Sequence, residues 1–576
     1  MHYTNIDIMF LVLKKSRTGT NVQVYFAESY RENGKVRQRL VKRIGELTEL
    51  QKQDKDIIQK LKLELKQITQ DKRQHLIEMI LDLNARNTNE KSLNFGYLYL
   101  DGLYRSLNID KIINDYSKLH KFSYDLNEIF KLLIYNRILN PTSKKGALET
   151  KDDYCIGFDI KEDSPYRALD HLNNLKDDLL VHLHKQITQK YNRDVFLVFY
   201  DVTNFYFETE TQDNLRRKGY SKENRKSPIV QMGLFMDNNS VPICYKLFSG
   251  NTPDSKTLID FIDTTKKQLG FEKVVVVADK AMNSKENIAE LNKKGYGWLF
   301  SQQLRGNIDK NIVEFGLDQK GYKKTKDESG TVVHKYKSTL NSRILKDKTQ
   351  IQEKVLIKWS KKYELRQRAK RQELIDIAAD LKDDLTRYSS LNKKGPKRYI
   401  TETLVDKSTG EIDRQRILSL DTNRIAKEEL LDGYYAIVTS EVDLDDQEIM
   451  NRYSDLWKIE DSFRIYKSDL KTRPVFVYKK EHIESHFLIC FVALTIMRLL
   501  GLNSKNQYSI KALRDSLNSM TMTHIEKQIY IFNKDMISNE LEQCFKLDFN
   551  KKYFSSTEIK TAANSIYKSI TALQNK

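Results

Sequence analysis

Residues 195–201 read VFLVFYD, a continuous apolar run that ends in one carboxylate, and this stretch decides the fold. Apolar runs without polar alternation are typical of strands that are buried on both faces of a sheet. The following sequence predicts the rest of that sheet and its covering helices. These elements are strands at 229–236 and 241–248 joined by the turn DNNS, a helix at 255–269, the strand KVVVVAD at 273–279, a helix at 284–293 and a strand at 296–301.

The predicted order is three strands, a helix, a strand, a helix and a strand, which is the order of an RNase H-like domain. In such a domain the ends of the first and fourth strands lie side by side. Asp201 and Asp279 occupy those two ends. We therefore predict an α/β fold with an RNase H-like mixed sheet flanked by helices, interrupted by a β-rich insertion, with a helical N-terminal region and a helical C-terminal tail.

A third acidic residue lies in the segment RYSDLWKIEDSFRIYKSDLKTRP at 452–474, where Tyr453, Glu460 and Lys467 recur at intervals of seven. At about 100° per residue, a step of seven covers ~700° of an α-helix, so successive members lie within about 20° of one another. The sequence predicts a continuous helix with the carboxylate between an aromatic hydroxyl and an ammonium. An ordinary surface ion pair of Glu460 with Arg464 is the alternative.

Three clustered acids suit phosphodiester chemistry, which two divalent ions about 3.5–4 Å apart support by neutralising charge and activating an oxygen. Mg²⁺ prefers a few carboxylates together with water and substrate phosphate. Asp201, Asp279 and Glu460 offer that donor set if the fold brings them together. An aspartate at the end of a strand is, taken alone, more often a loop residue or a helix cap.

The chain has 576 residues, too many for one compact core. Shifts in composition and periodicity predict seven segments. They are a small β-rich element at 1–48, a long amphipathic helix at 49–95, a helical DNA-binding domain at 96–190, the first part of the catalytic core at 191–305, an insertion at 306–432, the second part of the core at 433–503 and a helical C-terminal region at 504–576.

The composition favours a polyanionic partner, because 98 Lys and Arg against 79 Asp and Glu give a net charge of +19. DNA is the leading candidate, and a general lysine-rich bias is the alternative. The 4 cysteines are widely separated, which predicts neither disulfides nor a cysteine zinc site. The apolar run at 487–497 is short for a bilayer span. These features predict a cytoplasmic protein without a membrane segment.

Two weaker patterns are rejected. GNTPDSKT at 250–257 resembles a phosphate-binding loop, but Ser255 replaces the glycine before the lysine, so we predict no nucleotide cofactor. His482, His486 and Cys490 have the spacing of zinc ligands on a helix, but they border an apolar run, which favours ordinary packing.

Three motifs resemble the DDE transposases of bacterial insertion sequences, in particular the 1634-like branch of the insertion-sequence-four superfamily. They are FYDVTNFYFE around Asp201, VVVADKAMNSKENI around Asp279 and YSDLWKIEDSFRIYKSDLKTRPVF around Glu460. The superfamily signature Y-x2-R-x3-E-x6-K reads Tyr453, Leu456, Glu460 and Lys467 here, so a leucine replaces the arginine. Candidate substitutes for that arginine are Arg452, Lys458 and Arg464, of which Arg464 lies on the better face.

The resemblance implies that Asp201, Asp279 and Glu460 bind two Mg²⁺ ions, for which Mn²⁺ substitutes. It implies that the protein cuts insertion-sequence ends and joins their 3′-hydroxyls to target DNA as a homodimer, in the cytoplasm at the nucleoid. The implied DNA contacts are Tyr453, Arg464, Lys467 and Lys458. Trp359 is a candidate for stacking a flipped base, although a tryptophan buried in a strand is the favoured interpretation. Two alternatives stay open: a nuclease or resolvase without strand transfer, and a catalytically impaired DNA-binding regulator.

Overall fold

The structure is a computed structural model that describes most of the chain and divides it into two compact units. The units are Met1–Lys91 with His524–Ile529, and Ser92–Thr523 with Tyr530–Lys576. The described residues are 9–15, 21–32, 35–67, 91–120, 123–160, 164–220, 226–271, 273–305, 309–381, 387–388, 395–405, 415–526 and 529–574.

The first unit contains an antiparallel sheet of β1 (Met9–Lys15), β2 (Val22–Glu32) and β3 (Lys35–Glu46), followed by α1 (Leu47–Gln53) and α2 (57–67). The two helices correct the prediction of one continuous helix over 49–95. The chain is extended at Asp54, whose carboxylate accepts a hydrogen bond from the Asp56 amide at 2.9 Å. An aspartate that bonds to the backbone in this way competes with helical hydrogen bonding. Residues 68–90 of the predicted helix lie outside the described residues.

The remaining helices run through the rest of the chain. They are α3 (Tyr97–Ser106), α4 (Ile109–His120), α5 (Leu126–Leu139), α6 (Lys144–Glu149), α7 (Ser164–Tyr191), α8 (Asp254–Leu269), α9 (Lys285–Lys293), α10 (Lys310–Leu317), α11 (Lys361–Leu381), α12 (Thr422–Leu430), α13 (Asp446–Ser454), α14 (Trp457–Arg464), α15 (Lys480–Asn503), α16 (Ile510–Ser519), α17 (Met536–Cys544) and α18 (Ser556–Gln574). Short 3₁₀ turns occupy Lys280–Met282 and Pro396–Tyr399, and a π-helical turn occupies Ile465–Asp469.

The remaining strands are β4 (Ser92–Asn94), β5 (Leu197–Tyr206), β6 (Ile229–Met236), β7 (Pro242–Ser249), β8 (Val275–Ala278), β9 (Gly297–Gln302), β10 (Lys323–Lys326), β11 (Val332–Ile344), β12 (Gln350–Ser360), β13 (Ile400–Val405), β14 (Gln415–Leu420), β15 (Tyr434–Thr439), β16 (Thr521–Glu526), β17 (Ile529–Asn533) and β18 (Tyr553–Ser555).

A nine-stranded sheet in the order β10–β11–β12–β15–β9–β8–β5–β6–β7 organises the second unit. Strand β5 pairs antiparallel with β6 on one side and parallel with β8 on the other, and β8 pairs parallel with β9. With the hairpin β6–β7, the neighbouring strands β7, β6, β5, β8 and β9 have the order 3-2-1-4-5 when they are numbered along the chain. This topology confirms the predicted RNase H-like α/β fold.

Part of the segment predicted as an insertion continues the same sheet. Strand β12 pairs antiparallel with β15, and β11 and β10 follow beyond it. Strands β11 and β12 have 13 and 11 residues. The sequence hides β11 because its side chains are mostly polar and only partly buried. A separate small core forms around Ala378, Leu381, Tyr399 and Leu418.

The two faces of the sheet belong to different hydrophobic cores. One face carries Phe199, Val277 and Leu299, and shares a core with α3, α5, α7 and α15. The other face carries Val198, Val276 and Trp298, and is covered by α8 and α9. Among the described residues, α15 is the one helix long and apolar enough to cross a membrane, yet 89% of its apolar window is buried within the protein.

The C-terminal region corrects another prediction, because 504–576 is not entirely helical. Residues Thr521, Met522 and Thr523 of β16 pair antiparallel with Asn94, Leu93 and Ser92 of β4. Alternation of β-branched and apolar side chains in TMTHIE favours a strand over a helix.

Candidate active site

Asp201 and Asp279 lie in one row on one face of the central sheet. Phe199 pairs with Val277, and Val277 pairs with Leu299. Side chains alternate between the faces of a strand, so two residues further along, Asp201 and Asp279 point to the face of Phe199 and Val277. Adjacent strands are ~4.8 Å apart, which brings the two carboxylates side by side. Ser301 of β9 extends the row.

The prediction that Asp201 ends its strand is wrong, because β5 continues from Asp201 to Tyr206. The continuation pairs with β6, from Asp201 opposite Leu234 to Tyr206 opposite Ile229. Strand β8 does end immediately before Asp279. Asp279 therefore lies just past the end of the short strand β8, next to Asp201 within the longer strand β5.

Each aspartate is oriented by a backbone amide. The Asp279 Oδ1 atom accepts a hydrogen bond from the Ala281 amide at 2.6 Å and caps the 3₁₀ turn that follows β8. The Asp201 Oδ1 atom accepts one from the Val202 amide at 2.7 Å. Asp279 is exposed and Asp201 is half-buried, so this part of the sheet is open to solvent.

Helices α13 and α14 lie on the same face as the two aspartates. Ile449, Ile459 and Phe463 join the core that contains Phe199 and Val277. Helix α13 packs on β8 and β9, and α14 packs on β5. Glu460 is exposed on α14, and the structure therefore brings it to the face of the sheet on which Asp201 and Asp279 lie.

The continuous helix predicted for 453–467 is wrong, because α13 and α14 are separated by a tight turn at Asp455 and Leu456. In this turn the Leu456 amide donates to the Tyr453 carbonyl at 3.1 Å, and the Ile459 amide donates to the Leu456 carbonyl at 3.2 Å. These are bonds between residues three apart, as in a 3₁₀-helix. Beyond Arg464 the chain widens into the π-helical turn.

A buried carboxylate accounts for the π-helical turn. Asp469 is 6% exposed, and its oxygens lie 3.2 Å from Arg464 and 3.3 Å from Arg514 of α16. Arg464 and Asp469 are five residues apart, and residues at that spacing stack when hydrogen bonds run from i to i+5. The Leu470 amide makes such a bond to the Ile465 carbonyl at 2.9 Å.

Tyr453 connects the helix to the row of acids. Burial raises the pKa of the Tyr453 hydroxyl, a hydrogen bond with the Ser301 side chain lowers it, and the carboxylates of Asp279 and Glu460 raise it further. Tyr453 is therefore within electrostatic range of two of the three predicted acids. Its hydroxyl stays protonated at neutral pH and is available as a donor.

The three acids do not form a preassembled metal centre in this structure. Among the described residues, no group of three or more His, Cys, Asp or Glu side chains is arranged to hold a metal ion. The oxygen donors of Asp201, Asp279 and Glu460 are the type that Mg²⁺ prefers, and the two aspartates are suitably adjacent. The donor atoms suit a divalent ion, but Glu460 is not grouped with Asp201 and Asp279 in this structure.

Leu456 replaces the arginine of the signature, and its side chain is 8% exposed within the main core. An arginine here would enter apolar packing instead of reaching phosphate. Of the candidate substitutes, Arg452 pairs with Glu448. Lys458 Nζ lies 3.1 Å from the Asn238 carbonyl oxygen.

Arg464 is the most accessible of these candidate cations, with 52% of its side chain exposed, and it lies 2.8 Å from Asp461. A hydrogen bond with Asp461 raises the pKa of the Arg464 guanidinium. The Lys467 ammonium lies 6.0 Å from the centre of the Phe205 ring, on β5 and four residues beyond Asp201. The predicted DNA contacts thus lie on α13, on α14 and in the π-helical turn, where Lys467 approaches Phe205 of β5.

Sequence reasoning missed several aromatic residues at the same edge of the sheet. Tyr363 of α11 and Tyr435 of β15 form an edge-to-face pair with ring centres 5.8 Å apart. Burial and the neighbouring Tyr453 and Tyr363 raise the pKa of Tyr435 to about 12. Trp457 is 58% exposed on the side of α14 that bears Glu460. Tyr363 and Tyr435 come together through the packing of α11 near β15, so no local pattern in the sequence identifies them.

Trp359, the candidate for base stacking, is half-buried at the end of β12. Its ring centre lies 6.5 Å from that of Tyr434, and the Lys335 ammonium lies 5.0 Å from it. His482, 3.3 Å from Asp170, and the buried Cys490 occupy ordinary packing positions.

The fold and the adjacent aspartates define an RNase H-like protein, and comparison with known families identifies it further. A Transposase DDE domain model matches residues 197–496, slightly more than half of the chain, and the chain therefore belongs to the DDE transposases, which cut and join DNA. The model of the IS1634 family transposase N-terminal domain matches residues 12–78, which adds the IS1634 branch and confirms the resemblance seen in the motifs.

Other comparisons contribute little. A cryo-EM structure of the piggyBac transposase synaptic complex with hairpin DNA aligns with a TM-score of 0.36 and 8% identity, over 84% of this chain and 87% of that chain. A likeness at that TM-score carries no argument. No curated protein matches the chain.

Proposed function

We propose that this transposase cuts the ends of its own insertion sequence and joins the resulting 3′-hydroxyls to target DNA, with Asp201, Asp279 and Glu460 as the catalytic acids. The proposal rests on one observation above all. Asp201 on β5 and Asp279, directly after the adjacent parallel strand β8, lie on the sheet face that also receives the helix bearing Glu460.

These acids would hold two Mg²⁺ ions, or Mn²⁺ in their place. Bound divalent ions neutralise phosphate charge and activate the attacking oxygen. The amides of Val202 and Ala281 orient the two aspartates toward that task. Glu460 would join them from α14 when DNA and metal enter.

We propose Tyr453, Lys458, Arg464 and Lys467 as contacts to phosphates near the scissile bond. The Tyr453 hydroxyl is a neutral donor beside two acids. Arg464 is paired with Asp461 and with the buried Asp469. The pair with Asp461 is partly exposed and worth only ~0–1 kcal/mol, so phosphate competes with Asp461 for the guanidinium while the contact to Asp469 is kept. Because Leu456 is buried, Arg464 would supply the cation that the signature arginine normally provides.

DNA is the proposed partner, held by a homodimer in the synaptic complex. The net charge of +19 favours it. The helices of 96–190 as a DNA-binding domain, and the other predicted domain boundaries, stay predictions. A cytoplasmic location at the nucleoid accompanies this proposal.

The decisive experiment combines purified protein, Mg²⁺, a plasmid target and a labelled duplex bearing the inverted repeat that flanks the coding region. We expect Asp201→Asn, Asp279→Asn and Glu460→Gln each to abolish cleavage while retaining end binding. Asp260→Asn, which removes an exposed acid paired with Lys246, serves as the matched control. Joined product supports transposition, nicks alone support a nuclease, and full activity of all three variants refutes the assignment.

A separate measurement tests the phosphate contacts. Lys467→Ala should weaken end binding and lower the slope of log affinity against log salt by about 1. An unchanged slope would remove Lys467 from the set of phosphate contacts.

A catalytically impaired DNA-binding regulator is a second candidate, favoured by the buried Leu456 and by the acids that are not grouped in the structure. In that case the wild-type protein retards the terminal duplex without cutting it at any Mg²⁺ or Mn²⁺ concentration.

A further inference from the structure

The hairpin β11–β12 reaches the segment that bears Asp279 through a buried ion pair. Arg343 of β11 lies 3.4 Å from Glu353 of β12, and the side chains are 16% and 1% exposed. The same guanidinium donates a hydrogen bond to the Asn283 side-chain oxygen at 3.0 Å. Asn341 also donates to Glu353, at 3.1 Å. The acid thus fixes the guanidinium that holds Asn283.

Asn283 is the residue that ends the 3₁₀ turn capped by Asp279. Its side-chain amide donates to the Ser301 carbonyl oxygen at 3.2 Å. The turn of 279–283 is therefore fastened at its start by the Asp279 carboxylate and at its end by Asn283. Arg343 orients the Asn283 side-chain amide. It donates to the amide oxygen, and the amide nitrogen is then directed toward β9.

The path continues across the sheet to the other candidate site residues. Glu353 is separated from Val355 and Ile357 by even numbers of residues in β12, so the three side chains point to the same face of the sheet. Val355 and Ile357 belong to the hydrophobic core that also contains residues of α8 and α9. The Ser301 backbone carbonyl accepts the hydrogen bond from Asn283, and the Ser301 side chain lies on the opposite face, where it influences the pKa of Tyr453. A chain of contacts thus leads from a buried acid of the insertion to Tyr453 on α13, the helix that precedes the one bearing Glu460.

We propose that Arg343 is a positioning residue for the transposase reaction, which acts through Asn283 to hold Asp279 in place beside Asp201. The insertion segment is then part of the catalytic framework and not only an appendage to it. This inference rests on the proposed catalytic role of Asp279. Residues that orient metal ligands typically affect metal affinity or activity by 10–100-fold.

The test uses the full chain with Arg343→Met, Arg343→Lys and Asn283→Ala. We expect the Met and Ala variants to need at least about tenfold more Mg²⁺ for half-maximal end cleavage, with metal-free end binding unchanged. Arg343→Lys keeps one donor and the charge, so it should recover part of the loss. Asn283→Ala leaves the pair of Arg343 with Glu353 intact, and it decides the question if Arg343→Met fails to fold.

Hydrogen exchange provides a readout independent of activity. The Ala281 amide bonds to Asp279, so we expect peptide 279–284 to exchange faster in the Met and Ala variants, while peptides of β5 keep their wild-type rates. The matched control is Lys346→Met. It removes an exposed pair of 3.2 Å with Glu286, which links the same hairpin to α9 nearby, and it should change neither readout.

The outcomes separate this inference from the proposed function. If Asp279→Asn keeps full cleavage, the catalytic assignment fails, and the exchange of peptide 279–284 still reports on Arg343. If Asp279→Asn is inactive while Arg343→Met and Asn283→Ala match the wild type in metal requirement and exchange, the positioning role is refuted. Equal effects of Lys346→Met and Arg343→Met would also overturn it.

Discussion

Lys144 offers a quantitative test of the packing beneath the candidate site. Its ammonium lies 2.7 Å from His486 Nδ1, and His486 Nε2 lies 2.9 Å from the Thr472 carbonyl oxygen. A carbonyl only accepts, so Nε2 carries the proton and Nδ1 accepts from Lys144. Burial, and then the Arg137 guanidinium, lower the pKa of Lys144 from 10.5 to about 7.

The sign of the pH dependence follows from this lowered pKa. Between pH 7 and 10.5 the unfolded chain holds a proton that the folded chain lacks, so the free energy of unfolding rises with pH across that window. Below pH 7 both states are protonated, and the full cost of burying the charge is present. At ~1.4 kcal/mol per pH unit, the whole window is worth ~5 kcal/mol, and the part up to about pH 9 is worth ~3 kcal/mol.

Replacement of Lys144 by methionine removes this contribution. We expect urea unfolding to show Lys144→Met most favoured over the wild type near about pH 6, with the advantage shrinking by ~3 kcal/mol by about pH 9. Lys294→Met is the control: a hydrogen bond with Asp263 raises the pKa of Lys294, so its difference from wild type should stay level over this range. A constant difference for Lys144→Met refutes a buried lysine with a lowered pKa.

Three further substitutions have defined outcomes. Leu456→Arg restores the signature residue but buries a charge without a partner, so we expect ~3 kcal/mol of destabilisation and no gain in cleavage; an unchanged melting temperature contradicts this. Arg193→Met leaves the carboxylate of Asp237, which lies 2.8 Å from Arg193 and is 3% exposed, without its cation. We expect denaturant titrations to show a loss of ~3–5 kcal/mol in the free energy of unfolding, and a loss below ~1 kcal/mol would argue against a buried pair. Asp469→Asn weakens the contact to Arg514, and we expect faster hydrogen exchange in peptide 465–470; an unaltered rate would show that the π-helical turn does not depend on it.

The sequence predicted the central sheet because its strands are buried on both faces. Strand β8 follows from the run of valines before Asp279. Helix α5 begins after Asp125, whose side chain accepts from the Glu128 amide, and ends before Asn140 and Pro141, residues that are typical of helix boundaries. In each case the local pattern and the tertiary environment agree.

The remaining features depend on contacts between distant parts of the chain. Asp201 looks like the end of a strand because a polar carboxylate interrupts the apolar run, but pairing with β6 continues the strand. The buried Asp469 of the π-helical turn pairs with Arg514, which belongs to a later helix. The extension of the sheet by β11 depends on a partner strand, since its own sequence is largely polar. The roles of Asp201, Asp279 and Glu460 stay predictions that sequence and fold jointly support.

Tyr453, Glu460 and Lys467 keep the spacing of seven residues that the signature requires. The single continuous helix predicted to carry them is not present. Between Tyr453 and Glu460 the chain tightens into bonds between residues three apart, which advances it by about 120° per residue instead of ~100°. Between Glu460 and Lys467 it widens into a π-helical turn, which advances it by less than an α-helix does. The two departures have opposite signs, so their effects on the rotation of the chain partly cancel between Tyr453 and Lys467. The assignment of these three positions stays a prediction, and the direction of Glu460 depends on the turn at Leu456 as well as on its spacing from Tyr453.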